Sequence, residues 1–480
     1  MSFADQPSSG TTPRRWGRRA AVATAVVLVL GAGSAVGLDA TGRLPAGVLG
    51  SAASSPTPAP TVTPARPDAP AVLGPATGAA AQSLDVVALR ALLRSPALGP
   101  GAGAVVVDAT TGDVLLDEDS ARGRIPASVA KLATTAAALV TLGPDHRLTT
   151  RVVEGSAPGE IVLVGAGDAT LALAKPRRGA YPRAASLTEL AAATATAVRP
   201  QAAAQPSPVT VRVDDSLFAG PAVSPDWPAS YVGSGAVSPV SALSVDQGRV
   251  SAGSSARERD PALAAGRDFA RLLAARGLTV ADRVSRTTAP AGAPTLAQVS
   301  SPTVAELVET DLESSDNDLA EALLRLVAVG RDRPGTFTDG TGAVADVLTE
   351  LGVPTDGLDL LDGSGLARGS SVAPATLAQL LATAAGREHP ELRPVLTGLP
   401  VAGFTGTLAV RFDTSRTKTG AGLVRAKTGT LTGVSTLAGA TTVGERTVVF
   451  AVMTDRVPAG GTLAARDALD RIAATVAAAP

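Results

Sequence analysis

Short apolar runs separated by turn residues predict β-strands at both ends of the folded part of the chain. Residues 104–107 and 114–116 are apolar and flank the turn residues 110–112, a pattern that predicts a β-hairpin. Later apolar runs predict three C-terminal strands and a last helix, at 424–427, 435–441, 447–454 and 462–478. Two N-terminal strands, three C-terminal strands and a helix can form one antiparallel sheet with helices on its faces.

The middle of the chain changes from a helical to a strand pattern and back. Pro126 precedes an apolar segment at 131–142 that predicts a helix, and two further helices are predicted at 303–312 and 319–329. The intervening segment has short strands, many Gly and Pro turns and one helix near 262–276. The predicted fold class is α+β, with an inserted, mainly-β domain. The predicted boundaries are 83–146 and 300–480 for the main domain and 147–299 for the inserted one.

The first 82 residues have a different character. Arg14, Arg15, Arg18 and Arg19 precede an apolar run at 20–38, which is long enough to span a bilayer and predicts either a membrane anchor or a cleaved signal peptide. Residues 1–38 are predicted to hold this segment and a cytoplasmic N-terminus. Residues 39–82 are rich in Pro, Ala, Ser and Thr and predict a disordered linker. Either alternative places the rest of the chain outside the cytoplasm, anchored to the membrane or secreted.

Composition excludes several function classes. The net charge of −1 and an aromatic content of 2% disfavour nucleic-acid binding, which requires clustered cations and stacking rings. The chain has no Cys, so it lacks thiol nucleophiles, disulfides and thiolate metal sites. His146 and His389 are its only histidines, and both lie in loop-like surroundings that predict surface positions. We therefore predict no metal, no cofactor and no Ser-His-Asp triad.

Lysine and asparagine are rare, and the positions that keep them are informative. Of the 42 basic residues only four are Lys, and Asn317 is the only Asn in the chain. Lys131 stands three residues after Ser128, so one helical turn places an amine beside a hydroxyl. A buried Lys can become a neutral base, whereas Arg cannot lose its proton. The order Ser-x-x-Lys, Ser315-Asp316-Asn317 and Lys427-Thr428-Gly429 is the motif set of penicillin-interacting serine enzymes.

A second copy of two motifs competes with this assignment. Ser415 and Lys418 form another Ser-x-x-Lys, and Lys418 begins another Lys-Thr-Gly. The surroundings of Ser415 are polar and predict a loop, whereas Ser128 opens a helix with an apolar face that would bury Lys131 and lower its pKa. We therefore predict that Ser128, Lys131 and Lys427 form the site and that Lys418 is a solvated loop residue.

At these motifs residues 84–480 resemble the D-alanyl-D-alanine carboxypeptidase/endopeptidases of the class C low-molecular-mass penicillin-binding proteins. The resemblance rests on 125–131, 314–317 and 424–431, with weaker matches that include 362–366. It implies a β-lactamase/transpeptidase-like fold and a substrate made of peptidoglycan stem peptides. It also implies covalent inhibition by β-lactam antibiotics.

The residue types predict a role for each member of the site. Ser128 attacks the carbonyl carbon between two D-alanines, and Lys131, kept neutral partly by the nearby Lys427 cation, takes its proton. Backbone N–H groups of Ser128 and Thr430 form the oxyanion hole. The predicted partners of the substrate are Ser315 for the leaving amine, Asn317 for an amide, and Lys427, Thr428, Gly429 and Thr430 for the terminal carboxylate.

Two other functions stay open at this point. A serine β-lactamase would share the acylation chemistry and differ in the rate of deacylation, and the sequence shows no clear Glu motif for an activated water. A catalytically idle wall-binding protein is the other alternative, which the three intact motifs disfavour. The sequence does not rank carboxypeptidase against endopeptidase activity.

Overall fold

The computed structural model describes residues 84–204 and 207–478. The segments predicted as an anchor or signal peptide and as a linker, at 1–38 and 39–82, lie outside the described residues. Among the helices within the described ranges, none is both long and apolar enough to cross a bilayer.

The described residues form ten strands. They are β1 (Gly103–Asp108), β2 (Val114–Glu118), β3 (Arg147–Glu154), β4 (Glu160–Val164), β5 (Thr210–Asp214), β6 (Ser285–Arg286), β7 (Thr295–Thr303), β8 (Arg425–Leu431), β9 (Val434–Val443) and β10 (Arg446–Thr454).

The same residues form eleven α-helices. They are α1 (Val86–Leu93), α2 (Lys131–Leu142), α3 (Leu187–Ala204), α4 (Ser230–Gly233), α5 (Pro261–Ala274), α6 (Val304–Ser314), α7 (Asn317–Gly330), α8 (Phe337–Glu350), α9 (Pro374–Ala385), α10 (Arg393–Thr397) and α11 (Thr462–Ala477).

The first sheet joins the two ends of the described chain in the order β2-β1-β10-β9-β8. All its pairings are antiparallel, which confirms the sheet predicted from the N-terminal hairpin and the three C-terminal strands. Side chains of β1 alternate between the two faces of the sheet, and helices cover both faces. Val105 and Val107 join a core with α2, α7, α8 and α9, whereas Ala104 and Val106 join a core with α1 and α11.

The second sheet lies within the segment predicted as an inserted domain and has the order β6-β5-β4-β3-β7. Strand β5 pairs in parallel with β4 and β6, whereas β3 pairs antiparallel with β4 and β7. Helices α3 and α5 complete its apolar core. Arg147 in β3 pairs with Thr303 in β7, so the segment leaves and re-enters the rest of the chain at adjacent points. The domain boundaries themselves stay a prediction.

Helix α2 is the centre of the all-helical layer. Nine of its twelve residues, from Lys131 to Leu139, are buried. It packs against α6, α7 and α8, which supply the leucines and valines of the larger core. A helix enclosed on most of its surface cannot keep a charged residue at its start without a specific reason, and Lys131 occupies that start.

Candidate active site

Ser128 and Lys131 lie where a 3-10 helix, Ala127–Ala130, runs into α2. The Nζ atom of Lys131 is 3.3 Å from Ser128 Oγ. Ser128 is half-buried, whereas Lys131 is fully buried. Ala127, just before Ser128, has a φ of 47°, which a residue with a Cβ rarely adopts and which stores backbone strain beside the hydroxyl. The Ser128 hydroxyl is therefore partly accessible and the amine beside it is not.

Two further acceptors surround the Lys131 amine. Its Nζ donates to Asn317 Oδ1 at 2.7 Å and to the Ser364 carbonyl oxygen at 3.0 Å. Neither oxygen can donate, so two N–H bonds of Lys131 point at them. In a neutral amine the remaining position is a lone pair, directed at the Ser128 hydroxyl. The arrangement suits a general base that withdraws the proton of Ser128.

Asn317 is placed by a sharp junction between α6 and α7. Helix α6 is followed by Ser315, which has a left-handed φ of 60° and whose N–H donates to the Asp311 carbonyl oxygen at 2.7 Å. Asp316 caps α7 by accepting from Leu319 N at 3.1 Å. The Nδ2 atom of Asn317 donates to the Ala236 carbonyl oxygen at 2.9 Å. Both ends of the Asn317 amide are thus occupied by protein groups, and its predicted contact with a substrate amide stays a prediction.

Strand β8 brings the Lys-Thr-Gly motif to the same place. Lys427 is fully buried, and its Nζ donates to the Thr428 carbonyl oxygen at 3.2 Å. The Thr428 hydroxyl donates to Thr407 Oγ1 at 2.9 Å, a contact not predicted from the sequence. Strand β8 is the edge strand of its sheet, and its outer side is paired at the start, where Ala426 N donates to the Pro400 carbonyl oxygen at 3.0 Å. Thr430 is exposed on this edge.

Gly429 is required by the closeness of β8 to the nucleophile. A Cβ at this position would lie 2.1 Å from Thr436 Oγ1 and 2.7 Å from the Pro126 carbonyl oxygen. Thr436 in turn donates to that same carbonyl oxygen at 2.8 Å. Only a residue without a side chain lets the strand approach the segment that carries Ser128 this closely.

Burial lowers the pKa of both lysines. Burial is the largest cause for Lys131, opposed by the carboxyl groups of Asp311, Glu321 and Asp362, and its position at the start of α2 also disfavours a cation. Burial, and then the charge of Lys131, lower the pKa of Lys427 to about 7. The sequence-based explanation named the Lys427 cation as a cause of the neutral Lys131, whereas the largest cause is burial.

Three buried carboxyl groups lie near the lysines; Asp311 and Glu321 were not predicted from the sequence, and Asp362 was noted only within the weak match at 362–366. Burial raises the pKa of Asp311 to about 7, and neither of its carboxyl oxygens has a hydrogen-bond partner among the described residues. Burial raises the pKa of Glu321 to about 8, and it also raises that of Asp362. Glu321 had a usable signal, because it lies four residues after Asn317 and therefore on the same face of α7.

The competing motif lies on the surface. Ser415 and Lys418 are both exposed, and Lys418 lies in a 3-10 helix, Lys418–Gly420. His146 is exposed and His389 is half-buried. The Nδ1 atom of His389 contacts Glu391 Oε1 at 3.0 Å. Within 84–204 and 207–478, no group of three or more His, Cys, Asp or Glu residues is placed to hold a metal ion.

The family model that matches this chain is that of the D-Ala-D-Ala carboxypeptidase 3 (S13) family, and the match covers residues 86–257 and 252–476. The chain belongs to this family. It is accordingly a hydrolase, a serine-type D-Ala-D-Ala carboxypeptidase.

Curated relatives agree with the family assignment. Carboxypeptidase DacB of Mycolicibacterium smegmatis is 36% identical over 472 residues, which cover 97% of this chain and 98% of the relative. A carboxypeptidase of Mycobacterium tuberculosis is 38% identical over 80% of this chain and 82% of its own length. A D-alanyl-D-alanine carboxypeptidase of Actinomadura sp. is 32% identical over 79% of this chain and 82% of its own length.

A solved structure confirms the fold class. Penicillin-binding protein 4 of Haemophilus influenzae superimposes with a TM-score of 0.63, covering 81% of this chain and 98% of that one at 22% sequence identity. The α+β, transpeptidase-like fold predicted from the sequence is therefore confirmed.

Proposed function

We propose that this carboxypeptidase acts on peptidoglycan stem peptides through an acyl-enzyme on Ser128, as a carboxypeptidase and endopeptidase. The observation that carries the proposal is the environment of the Lys131 amine. Two acceptors take its N–H groups, and the Ser128 hydroxyl stands at the third position 3.3 Å away. Such an amine is oriented to accept a proton from one atom, Ser128 Oγ.

In the acylation step, Ser128 Oγ attacks the carbonyl carbon between two D-alanines while Lys131 accepts the hydroxyl proton. The N–H groups of Ser128 and Thr430 stabilise the oxyanion, since a helix start and a strand edge both offer free donors. Ser315, half-buried at the junction of α6 and α7, passes a proton to the leaving amine. Water then hydrolyses the ester and regenerates Ser128.

The substrate carboxylate binds along β8. The Lys427 ammonium group has three donors and uses one on the Thr428 carbonyl, so it can also attract the terminal carboxylate. Thr428 and Thr430 supply hydroxyl groups on the same strand, and Gly429 keeps that strand close to Ser128. Asn317 orients Lys131 and bridges it to the loop at Ala236.

β-Lactam antibiotics are the expected covalent inhibitors, because their amide also offers a carbonyl carbon to Ser128. A second structure of the Haemophilus influenzae protein is described as complexed with a novel β-lactam. Slow deacylation is expected here, since the Glu321 carboxylate accepts from two backbone N–H groups and is fully buried, and so is not free to activate a water. The β-lactamase alternative would require rapid nitrocefin hydrolysis.

The place of action is the cell envelope. Assembled peptidoglycan lies outside the cytoplasm, which agrees with the predicted export of the chain by its N-terminal segment. Whether the segment at 20–38 anchors the enzyme to the membrane or is removed as a signal peptide stays a prediction, which sizing of the exported protein would decide.

The decisive experiment is Ser128→Ala in a pentapeptide assay that measures released D-alanine, together with labelling by a fluorescent penicillin. We expect both activities to be lost, because Ser128 carries the hydroxyl that faces the buried Lys131 amine. Ser415→Ala is the matched control, since it removes the serine of the exposed motif, and it should retain both. Covalent labelling that survives Ser128→Ala would contradict the proposal.

A further inference from the structure

The carbonyl that contacts the catalytic amine belongs to a buried turn at 362–367. Asp362 closes this turn: its Oδ1 accepts from Gly365 N at 2.9 Å, and its Oδ2 accepts from Ala367 N and from Trp227 Nε1, both at 2.7 Å. The turn therefore has a specified shape. These bonds fix the shape of the turn but not its position relative to Lys131.

Two glycines let the turn lie against the helices of the site. A Cβ at Gly363 would lie 2.7 Å from the Ala320 carbonyl oxygen of α7. A Cβ at Gly365, which has a φ of 79°, would lie 1.9 Å from the Ala127 carbonyl oxygen beside the nucleophile. The turn thus fills the space between α7 and the start of α2.

Glu321 of α7 is the group that attaches this turn to the active site. Its Oε2 accepts from Gly363 N at 3.0 Å and its Oε1 from Ser364 N at 2.9 Å. The carbonyl oxygen of the same Ser364 accepts from Lys131 Nζ at 3.0 Å. The side chain of Glu321 is fully buried, so water does not replace these bonds. Both carboxyl oxygens act as acceptors, and these bonds favour the ionised form, in opposition to burial, which raises the pKa of Glu321 to about 8.

We propose that Glu321 is a positioning residue for the general base: it holds the Gly363 and Ser364 N–H groups and so sets the Ser364 carbonyl against Lys131. This inference rests on the proposed role of Lys131. The carbonyl takes one N–H of the amine, Asn317 takes another, and the lone pair is left facing Ser128. Glu321 touches neither substrate nor Ser128, and acts only through the turn.

A second effect of Glu321 is electrostatic and has its own signature. The charged groups that face it are Lys131 on α2, Asp362 on the turn and Arg325 one turn further along α7. Where Glu321 is ionised, its negative charge favours the protonated form of Lys131. Consider the acylation rate constant plotted against pH. Removing the charge lowers the pKa of Lys131, so the rise at the acidic side of the profile moves to lower pH. Misplacing the amine instead lowers the maximal rate constant, the plateau of the profile.

The test uses the full-length enzyme and measures the rate constant of acylation by a fluorescent penicillin across about pH 6 to about pH 10. Glu321→Gln keeps the size and shape of the side chain but replaces one acceptor oxygen by an NH₂ group, which then faces a backbone N–H. We expect its plateau to fall by about 10²-fold, as for misplacement of a catalytic group by about 1 Å, with the acidic limb moved to lower pH. Glu321→Asp keeps the charge on a shorter side chain. Its acidic limb should lie at the wild-type pH, while its plateau rate constant stays below that of the wild type.

Asp470→Asn is the matched control for loss of a buried carboxylate. Asp470 is a buried carboxylate of α11 whose Oδ2 accepts from Arg411 Nε at 3.1 Å, and its partner Arg411 is not part of the turn at 362–367. It should lower thermal stability while leaving the acylation rate per active enzyme unchanged. The active fraction is counted from the labelling stoichiometry, which separates a poorly folded variant from a slow one.

The possible results separate the two proposals. If Ser128→Ala loses labelling but Glu321→Gln acylates at the wild-type plateau, the positioning role is wrong and the acyl-enzyme proposal stands. A shifted limb with an unchanged plateau also refutes positioning, because charge alone then explains the effect. If Ser128→Ala is still labelled, the acyl-enzyme proposal fails first. A lowered plateau in both Glu321 variants, with normal labelling stoichiometry, supports the inference.

Discussion

The chain contains the same short motifs twice, once in the core and once on the surface. Ser128 with Lys131 and Lys427 lies among buried helices and β8, whereas Ser415 and Lys418 are exposed around a 3-10 helix. The residue types are identical in both places. What differs is the surroundings: Lys131 and Lys427 are fully buried, and burial lowers the pKa of each. We therefore expect a Ser-x-x-Lys motif to act in catalysis only where the fold removes water from the amine, as it does at Lys131.

Strain and close approach also distinguish the two copies. Ala127 directly precedes Ser128, and Ser315 lies at the junction of α6 and α7. Their φ angles are 47° and 60°. Gly429 lies against the Pro126 carbonyl oxygen, so the strand that carries Lys427 contacts the helix that carries Ser128. Such features are tolerated where the surrounding structure holds them in place, and they are typical of active sites.

The largest expected effect comes from replacing each lysine by arginine. Lys131→Arg keeps the positive charge but removes the ability to become a neutral base. We expect acylation by a fluorescent penicillin to fall by about 10²- to 10⁴-fold, the usual contribution of a general base. Lys418→Arg should acylate normally. Near-normal acylation by Lys131→Arg would show that burial of the amine is not what separates the two motifs.

The two motifs should also differ in their effect on stability. A lysine with a lowered pKa in the folded state binds fewer protons there than in the unfolded state, so the free energy of unfolding rises with pH until the unfolded lysine also loses its proton. This contribution can be measured from about pH 8 to about pH 10.5, the ordinary pKa of an unfolded lysine. Above about pH 8 the carboxyl groups of Asp311 and Glu321, with pKa values of about 7 and about 8, no longer contribute to the slope, and folded Lys427, with a pKa of about 7, is neutral.

Lys427→Met should remove a large part of that rise, on the order of a few kcal/mol, because each pKa unit corresponds to about 1.4 kcal/mol. Lys418→Met should keep the wild-type slope. Urea unfolding followed at several pH values measures the slope for each variant. Equal slopes in the wild type and in Lys427→Met would contradict the assigned pKa of Lys427.

A smaller effect is expected in the alkaline limb of the activity profile. Lys427 has a pKa of about 7 in the free enzyme, so its attraction for a substrate carboxylate should weaken above that pH. Lys427→Arg stays cationic, and we expect the alkaline limb of kcat/KM for a pentapeptide to move to higher pH, with a plateau reduced by about 10-fold. If the limb does not move, another group is responsible for it.

The local elements could be predicted from the sequence because their signals are local. The hairpin of β1 and β2 lies around the predicted turn, and α2 begins and ends at the predicted residues, Lys131 and Leu142. Ser128 and Lys131 are three residues apart, so helical geometry alone brings them together. Asn317 and Lys427 were found through their rarity and their motifs. Arg147 and Thr303, which bring the two ends of the middle segment together, carried no such signal.

The contacts that complete the site are long-range, and the sequence does not show them. Lys131 meets Asn317 and Ser364 across 186 and 233 residues. Asp362 was noted only as part of a weak motif, and nothing predicted that the neighbouring Ser364 would contribute a backbone carbonyl rather than a side chain. A carbonyl is present in every residue, so its use in a site depends on where the chain folds.

By itself, the sequence determined which residue types are available for chemistry: a chain with four lysines, one asparagine and no cysteine has few candidates for a base. It also determined the family and the order of the motifs. Only the tertiary structure decided which of two Ser-x-x-Lys motifs is buried, and that Glu321 holds the turn whose carbonyl contacts Lys131. The physical reason is that the pKa and orientation of an amine depend on the groups packed around it, and packing joins residues distant in the chain.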